Sequence, residues 1–291
     1  MTARARRRRP AGSTALTGVM LLMLVYTLLP LLWLVMSSTK DSASLFDSFG
    51  LWFGHGFHLF QNVHDVVTYD GGIYLRWFGN TVLYSVLGAG GAAVISTAGG
   101  YALAKYEFRG RRLIFAVVLG AVTIPGTALA VPTYLLFSKV GLVDSPWAVL
   151  IPSLASPFGL YLMRVYALGA VPDSMLEAAR IDGSGELRTF FTISLRLLAP
   201  GFVTVLLFSL VATWNNYFLP LIVLSDPQWF PLTVGLNQWN SLATGASSVG
   251  TTNFYPLVIT GSLLAIVPLV LAFLFLQRFW QSGLAAGSVK E

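Results

Sequence analysis

Long apolar stretches separated by short polar segments dominate the chain. A helix needs about 20 apolar residues to cross the hydrocarbon core of a bilayer, and it satisfies its backbone hydrogen bonds within itself. Six stretches meet this length, at residues 16–36, 77–104, 113–137, 147–167, 200–224 and 255–277. The pattern therefore predicts an all-α integral membrane protein with six transmembrane helices. They form one membrane domain, 16–277, between a basic amino-terminal tail, 1–15, and a carboxy-terminal tail, 278–291.

Composition supports this interpretation. Hydrophobic residues make up 55% of the chain and charged residues only 10%, too few to cover the surface of a water-soluble protein of this size. The chain has no cysteine, which excludes disulfides and thiolate metal sites. The first stretch follows a run of arginines, as in a signal peptide, but it is longer than the about 7–15 residues of a signal core. We therefore expect an uncleaved first helix.

The basic residues lie mainly on one side of the predicted spans. Lysine and arginine near span ends are retained on the cytoplasmic side. If the amino terminus is cytoplasmic, fifteen of the eighteen fall on that side: Arg4, Arg6, Arg7, Arg8, Arg9, Lys105, Arg109, Arg111, Arg112, Arg164, Arg180, Arg188, Arg196, Arg278 and Lys290. Lys40, Arg76 and Lys139 remain outside. This asymmetry predicts two cytoplasmic termini, and it accounts for the net charge of +6 without a nucleic-acid partner.

Carboxylates and histidines are absent from the predicted spans. All twelve acidic residues, from Asp41 to Glu291, lie outside the six stretches. Ion-coupled carriers and intramembrane enzymes commonly need such groups at membrane depth, so both are disfavoured. An ATP-independent secondary carrier or channel stays the alternative, because backbone carbonyls can also bind sodium. His55, His58 and His64 in the first outer loop lack reliable ligand spacing, and no metal site is predicted.

Small residues and prolines mark the second to fourth spans. The second span is rich in glycine, alanine and serine over residues 88–100, which lets helix backbones approach closely. Either close packing or a pore lining would use such a surface. Pro125, Pro132, Pro152 and Pro157 predict kinks in the third and fourth spans, as hinges or as tolerated irregularities.

The segment 171–200, between the fourth and fifth spans, is amphipathic and too polar to span. A short helix should begin near Ser174, which has the spacing of a capping box with Glu177. It should end at Gly183, since glycine readily adopts a left-handed conformation. A second helix should open near Glu186 and run toward the end of the segment.

The first of these helices suits docking into a groove of a soluble partner. Ala178 and Ala179 allow close approach, and Leu176 and Ile181 would form an apolar ridge. An interfacial helix lying on lipid has the same amphipathic pattern. The residue pattern by itself leaves both interpretations open.

The string LEAARIDGSGELRTFFTISLRLLAPG resembles the EAA loop of permease subunits of binding-protein-dependent ABC importers. The matching positions are Glu177, Ala178, Ala179, Asp182 and Gly183. Further similarity to the MalG-type subunits of carbohydrate importers lies in Asn80, the stretch 101–112, Trp214-Asn215, Pro220-Leu221 and the terminal Gly287-Ser288-Val289-Lys290. Arg196 and Ser288 depart from the family pattern, which usually has proline and alanine there.

The resemblance implies the fold of an ABC type I importer permease and the import of a sugar or oligosaccharide by alternating access. It implies that the EAA helix seats in a cleft of a separate ATPase subunit, and that the tail Gly287–Lys290 reaches toward the ATPase dimer. The chain lacks the phosphate-binding pattern Gly-x-x-x-x-Gly-Lys-Ser/Thr. We therefore expect a transport subunit that is not an enzyme and binds no cofactor, with ATP and Mg bound by the partners.

The implied partners are a second permease subunit in a heterodimer, two ATP-binding subunits, membrane lipid, the sugar itself and an extracytoplasmic solute-binding protein. That last protein would face the outer loop 225–254. The expected location is the bacterial cytoplasmic membrane, crossed several times. The identity of the sugar is not determined, and glycerol-phosphate-type solutes stay open.

Polar and aromatic groups lie well inside the fifth span, at Trp214, Asn215, Asn216 and Tyr217. Polar side chains at this depth normally face the bundle interior or an aqueous cavity. A sugar offers hydroxyls to an asparagine and an apolar face to an aromatic ring, so these four residues are candidates for the substrate pathway. An interhelical hydrogen-bond cluster is the alternative.

Overall fold

The computed structural model describes the backbone of residues 11–245 and 253–288, and the side chains of residues 15–245 and 253–277. The described residues form helices and no strand. The α-helices are α1 Ala11–Ser38, α2 Ser44–Asp47, α3 Leu59–Thr68, α4 Ile73–Lys105, α5 Arg111–Thr123, α6 Ala130–Lys139, α7 Trp147–Ser153, α8 Pro157–Ala170, α9 Asp173–Ile181, α10 Glu186–Thr189, α11 Leu195–Trp214, α12 Phe218–Val223, α13 Leu232–Thr244 and α14 Phe254–Ser288. Turns of 3₁₀-helix lie at Tyr69–Gly72, Gly126–Leu129 and Pro227–Trp229, and a π-helical turn at Phe190–Ser194. The predicted all-α class is confirmed.

Five described stretches are long and apolar enough to cross a membrane, and a sixth qualifies if two helices that meet at a sharp bend count as one span. The five are Ala15–Ser38, Leu59–Lys105, Trp147–Ala170, Glu186–Trp214 and Phe254–Gln277, and the bent pair is Arg111–Thr123 with Gly126–Lys139. Their order follows the six predicted stretches. The second begins earlier than predicted, since α4 starts at Ile73, and the third, fourth and fifth differ in ways described below.

The third predicted span, 113–137, is broken. Its two halves, α5 and α6, are bent by 102° relative to each other. Pro125 accounts for the break, because a proline disfavours the helical conformation of the residue before it. Ile124 is accordingly extended, with φ −83° and ψ 123°. Pro132 lies in the first turn of α6, where backbone amides have no intrahelical acceptor to lose.

The fourth predicted span, 147–167, is also two helices, α7 and α8. Pro157 is the first residue of α8, and the Oγ of Ser156 accepts a hydrogen bond from the amide of Gly159 at 3.1 Å. This is a standard helix start, so the predicted kink is here a full break. Pro152 lies near the end of α7.

The fifth predicted span, 200–224, both begins and ends earlier than expected. α10, the π-helical turn and α11 continue from Glu186 to Trp214, and α12 follows as a separate short helix. The prediction of a second loop helix that is distinct from the span is therefore wrong. Pro200 lies inside α11. It removes one hydrogen bond but keeps a helical φ, so the apolar helix runs through it.

The described chain divides into two compact units. The first contains the described residues within Met1–Val67 and Trp239–Leu264. In this unit α1 is apolar on all sides, and most of its described side chains are exposed. Exposure of such a helix fits a lipid environment, since a helix that is apolar all round must be surrounded by apolar material.

A buried polar cluster follows α1 in this unit. Lys40 is only 1% exposed, and its Nζ donates a hydrogen bond to the carbonyl of Phe49 at 2.9 Å. The Nδ2 of Asn62 donates to the carbonyls of Ser38 and Lys40 at 2.8 and 2.9 Å. These bonds satisfy carbonyls that the end of α1 leaves without partners, and they hold α3 beside it.

The second unit contains Thr68–Gln238 and the described part of Ala265–Glu291. Its central helix, α4, packs against α8 and α11 through small residues. A Cβ on Gly88 would lie 2.8 Å from the Cβ of Ser153, and a Cβ on Gly100 would lie 2.7 Å from the backbone nitrogen of Arg164. The small residues of the second span thus serve close helix packing, one of the two interpretations that the sequence left open.

Side chains of α4 also hold the irregular segment 227–230. The Nδ2 of Asn80 donates hydrogen bonds to two of its carbonyls at 2.8 and 3.0 Å. Trp77 Nε1 and Tyr84 OH donate to two more, both at 2.9 Å. Because this segment has little regular structure to satisfy its carbonyls, the side chains of α4 take that place and fix its conformation.

Gly100→Ala should destabilise the second unit, because the added methyl group meets backbone atoms of α8 that cannot turn away. Overpacking of this kind costs about 1–3 kcal/mol. The expected result is a lower midpoint of thermal unfolding for the purified complex in detergent. Gly79→Ala is the matched control on the same helix, since its Cβ would meet nothing within 4 Å. Equal midpoints for the two variants would contradict the close packing of α4 on α8.

Candidate functional site

The EAA helix, α9, ends as the sequence predicts. Gly183 has φ 77°, in the left-handed region. The amide of Ser184 donates to the carbonyl of Ala179 at 2.9 Å, and the amide of Gly183 donates to that of Arg180 at 3.0 Å. This pair of bonds is a Schellman motif, which needs a residue that tolerates positive φ. The predicted stop at Asp182-Gly183 is confirmed.

The start of α9 differs from the prediction. The helix begins at Asp173, after Pro172 in the N-cap position, and no side chain caps it. Ser174 is therefore the second helical residue, and the capping box predicted for Ser174 and Glu177 is wrong. The carboxylate of Asp173 instead lies in the first turn, where negative charge is favourable.

One face of α9 is buried and the other is open. Leu176 and Ala179 are 4% and 6% exposed, and Leu176 belongs to the apolar core between α4, α8 and α11. Glu177 and Ala178 are exposed, and Ile181 is 86% exposed. The prediction that Leu176 and Ile181 form one apolar ridge is therefore wrong. Positions three apart share a helix face, so Leu176 and Ala179 face inward together and Ile181 does not.

Charged and polar contacts fasten α9 to the end of α4. Lys105 Nζ lies 2.8 Å from Asp173 Oδ1, and the lysine side chain is only 3% exposed. Glu186 accepts hydrogen bonds from the hydroxyl of Tyr106 at 2.9 Å and from Nε of Arg180 at 2.7 Å. Glu186 thus joins α9, α10 and the residue that follows α4.

The contacts of Glu186 shift the pKa values of its two partners, Tyr106 and Arg180. Burial raises the pKa of the Tyr106 phenol above its usual range, and the hydrogen bond to Glu186 raises it further. The hydrogen bond to Glu186 likewise raises the pKa of the Arg180 guanidinium. Both groups therefore keep their protons at neutral pH. The network was not predicted, because its members lie far apart in the sequence and no spacing connects them.

Aromatic packing joins α4 to the π-helical turn that precedes α11. The ring of Tyr101 lies 5.0 Å from that of Phe190, and the Tyr101 hydroxyl accepts a hydrogen bond from Ser194 Oγ at 3.1 Å. Single π-helical turns frequently lie at functional sites. The base of α11 is therefore held directly against α4.

A cleft of about 730 Å³ lies among α5 to α8, α11 and α12. Ile124, Ala155 and Asn216 all line it, one from each of the three breaks between consecutive helices. Broken helices leave backbone groups without intrahelical partners, and membrane proteins tolerate them where they line a cavity. Substrate sites of transporters are commonly built from such discontinuous helices.

The lining of the cleft combines hydroxyl, amide and aromatic groups. They come from Thr127, Thr133, Ser153, Ser156, Ser209, Thr213, Asn216, Phe158, Phe208 and Phe218. None of the described residues that line it is charged. Such a surface can form hydrogen bonds with a polyhydroxylated solute and pack a ring against its apolar face.

Of the four residues predicted for the substrate pathway, Asn216 lines the cleft. Trp214 Nε1 donates to a backbone carbonyl of α14 at 3.2 Å. The side-chain amide of Asn215 donates to its own helix at 2.8 Å, and the hydroxyl of Tyr217 donates to the side-chain oxygen of Asn237 in α13 at 3.0 Å. Trp214 and Tyr217 thus make interhelical hydrogen bonds, as the alternative interpretation proposed, whereas Asn215 bonds within its own helix.

Sequence reasoning missed Ser209 and Thr213 in the cleft. They are four residues apart on α11, and so share one face with each other and with Asn216, three residues further on. This spacing of polar side chains within an apolar span was the signal that could have found them.

Some predicted features fall outside the described residues. Gly287 and Ser288 are the last residues of α14, whereas Val289 and Lys290 lie outside the described residues, as do the first ten residues with most of the basic tail. Among the described side chains, at residues 15–245 and 253–277, no group of three His, Asp or Glu could hold a metal ion.

Comparison with known proteins identifies one family and several similar permease proteins. Residues 94–284 match the family described as binding-protein-dependent transport system inner membrane component. The arabinooligosaccharides transport system permease protein AraQ of Halalkalibacterium halodurans is 36% identical over 262 residues, which cover 90% of each chain. AraQ of Bacillus subtilis is 34% identical over 93% of each chain. The diacetylchitobiose uptake system permease protein NgcG of Streptomyces coelicolor is 29% identical over 94% of this chain and 87% of its own.

The fold also has a counterpart of known structure. A chain in the crystal structure of a bacterial ABC transporter involved in the import of the acidic polysaccharide alginate superposes with a TM-score of 0.80. The match covers 96% of this chain and 100% of that one, at 21% identity, and it shows the permease fold. The family match includes the EAA helix, the cleft and α11. On these grounds the chain belongs to the inner-membrane components of binding-protein-dependent transport systems.

Proposed function

We propose that this chain is one of two permease subunits of an ATP-driven importer that carries a sugar or oligosaccharide across the cytoplasmic membrane. Family membership makes it a transport subunit and not an enzyme. It also argues against an ATP-independent carrier or channel. The relatives named for arabinooligosaccharides and diacetylchitobiose support a carbohydrate solute, and so does the uncharged, hydroxyl-rich cleft.

The complete transporter would contain this chain, a second permease subunit in a heterodimer, two ATP-binding subunits and an extracytoplasmic solute-binding protein. ATP and Mg would be bound by the ATP-binding subunits. The asymmetry of basic residues supports two cytoplasmic termini, with the EAA helix on the same side. The tail Gly287–Lys290 would then reach toward the ATPase dimer.

The main observation that supports this proposal is how α9 is attached to the helix bundle. Its inner face is buried in the bundle, while Glu177, Ala178 and Ile181 form an open face suited to a groove of the ATPase subunit. The Lys105–Asp173 pair and Glu186 tie α9 to α4 and α10. A displacement of α9 by the ATPase would therefore pass to the spans without being lost in a flexible loop.

The continuous helix from Glu186 to Trp214 offers the route to the cleft. Its first residues contact α9, and Ser209 and Thr213 near its far end line the cleft. Reorientation of this helix would change which side of the membrane the cleft faces. This is the alternating access that the proposed import requires.

On the outer side, the loop 225–254 is the proposed contact for the solute-binding protein. Its segment 227–230 is held on α4 by Asn80, Trp77 and Tyr84. A docking surface of fixed conformation loses less entropy on binding than a mobile loop. The rigid segment supports this assignment.

Glu177→Ala should weaken coupling in the assembled transporter while leaving solute binding by the external protein intact. Central interface side chains commonly carry enough binding energy that truncation lowers affinity about tenfold or more. The measurement is solute-stimulated ATP hydrolysis and uptake in reconstituted vesicles. Asp47→Ala, which removes an exposed carboxylate from the first connecting segment, is the charge-matched control. If solute stimulates ATP hydrolysis in Glu177→Ala as strongly as in the wild type, the assignment of α9 as the docking helix is wrong.

Glu186→Gln should loosen α9 without altering its open face, because a neutral amide accepts weaker hydrogen bonds than a carboxylate. We expect amide hydrogen exchange across residues 177–181 to accelerate about threefold to tenfold. Tyr106→Phe, which removes one of the two bonds to Glu186, should show a smaller change of the same sign. If amide hydrogen exchange is unchanged in both variants, the hydrogen bonds of Glu186 do not hold α9 in place.

Asn216→Ala should alter the relative transport of different oligosaccharides, because it removes an amide from the cleft. A lost hydrogen bond to substrate changes relative rates by about tenfold. Asn215→Ala is the matched control, since the neighbouring amide bonds to its own helix and does not line the cleft. The measurement is competitive uptake from a sugar panel. A larger change in Asn215→Ala would assign the pathway to another surface.

A further inference from the structure

A second recess, distinct from the cleft, lies where the connection after α4 meets the start of α5 and the middle of α8. Its volume is about 760 Å³. Arg111, Arg112 and Arg164 line it, and Glu107 is the one acidic side chain among the described lining residues. The recess is therefore strongly basic, and no part of the proposed transport cycle uses it.

Two of these arginines lie side by side. The Nε atoms of Arg111 and Arg164 donate to the same acceptor, the carbonyl of Leu103, at 3.0 and 3.3 Å. The Arg164 guanidinium also lies over the ring of Phe115, 3.9 Å from its centroid, which holds it in place. Because both guanidinium groups bond to the same carbonyl, their positive charges lie close together and repel each other. No carboxylate in the described part of the chain forms an ion pair with either of them.

The arginines retain most of their hydrogen-bonding capacity. A guanidinium carries five N–H donors. Arg164 engages its Nε–H, and Arg111 engages its Nε–H and one N–H of Nη2 with the carbonyl of Ala104. Arg112 is exposed and makes no ion pair within the described residues. Two or three guanidinium forks facing one recess match the geometry of a phosphate group.

We propose that this recess binds the headgroup phosphate of an anionic phospholipid in the inner leaflet. The proposal rests on the orientation proposed above, which places the recess at the cytoplasmic surface of the membrane. Basic pockets between transmembrane helices on that side are suited to anionic lipid headgroups. The phosphate would neutralise the adjacent arginines and so stabilise the junction of α4, α5 and α8.

A lipid fits better than a soluble phosphate because of what lies next to the arginines. Leu113 of α5 lines the recess and Val117 lies one turn further along the same helix, and these side chains are 70% and 63% exposed. An acyl chain attached to a bound headgroup can lie along these side chains, where it buries apolar surface. A soluble phosphate has no apolar part that could contact them.

The test measures phosphatidylglycerol retained by the complete purified transporter in native mass spectrometry. The complex is taken from vesicles of phosphatidylcholine and phosphatidylglycerol, without ATP or sugar, so the result does not depend on coupling or transport. Arg164→Gln and Arg112→Gln should each weaken retention about tenfold, the cost of one charge-assisted hydrogen bond. Arg112 is exposed and makes no hydrogen bond or ion pair among the described residues, so its substitution should leave the fold intact.

Arg109→Gln is the charge-matched control, because Arg109 is exposed in the same connection but does not line the recess. It should change retention less than about twofold. If Arg109→Gln, Arg112→Gln and Arg164→Gln lose equal amounts of bound phosphatidylglycerol, general surface charge explains the retention. This result would overturn the proposal. Equal retention of phosphatidylcholine, or displacement of the lipid by millimolar inorganic phosphate, would also overturn it.

Discussion

Inside a bilayer, each backbone N–H and C=O must find a partner within the protein, because the hydrocarbon offers none. α4 meets this requirement with 33 unbroken helical residues. Its small residues then let α8 and α11 approach so closely that a single added methyl at Gly100 would meet the backbone of α8. Three other spans are broken, and all three breaks border one cleft. The need to satisfy backbone hydrogen bonds thus determines both the close packing of α4, α8 and α11 and the position of the polar cleft.

The fold was largely predictable because its main signals are local. The six apolar stretches follow from length, and the end of α9 follows from the need for positive φ at Gly183. The size of the bend at Pro125 was not predictable, because a proline specifies only that the preceding residue leaves the helix. The path of the chain through Pro200 was also missed, since packing on both sides decides whether a helix continues.

The candidate site was less accessible to sequence reasoning, because its contacts join distant parts of the chain. The pairing of Lys105 with Asp173 joins residues separated in sequence by the four helices α5 to α8, and Leu176 is buried because α4, α8 and α11 pack against it. A polar residue within a span can face a cleft, as Asn216 does, or bond to a neighbouring helix, as Trp214 does. Tertiary packing decides between the two, and the residue type does not.

The helix that runs from Glu186 to Trp214 has 29 residues, which corresponds to a length of about 42 Å at 1.5 Å per residue. Under the proposed coupling, this helix would pivot at its base beside α9 and carry the cleft-lining residues near its far end. A tilt of roughly 10° about its base would carry the far end through about 7 Å, more than one helical turn. A small rotation at one membrane surface would thereby be amplified into a change of contact at the other.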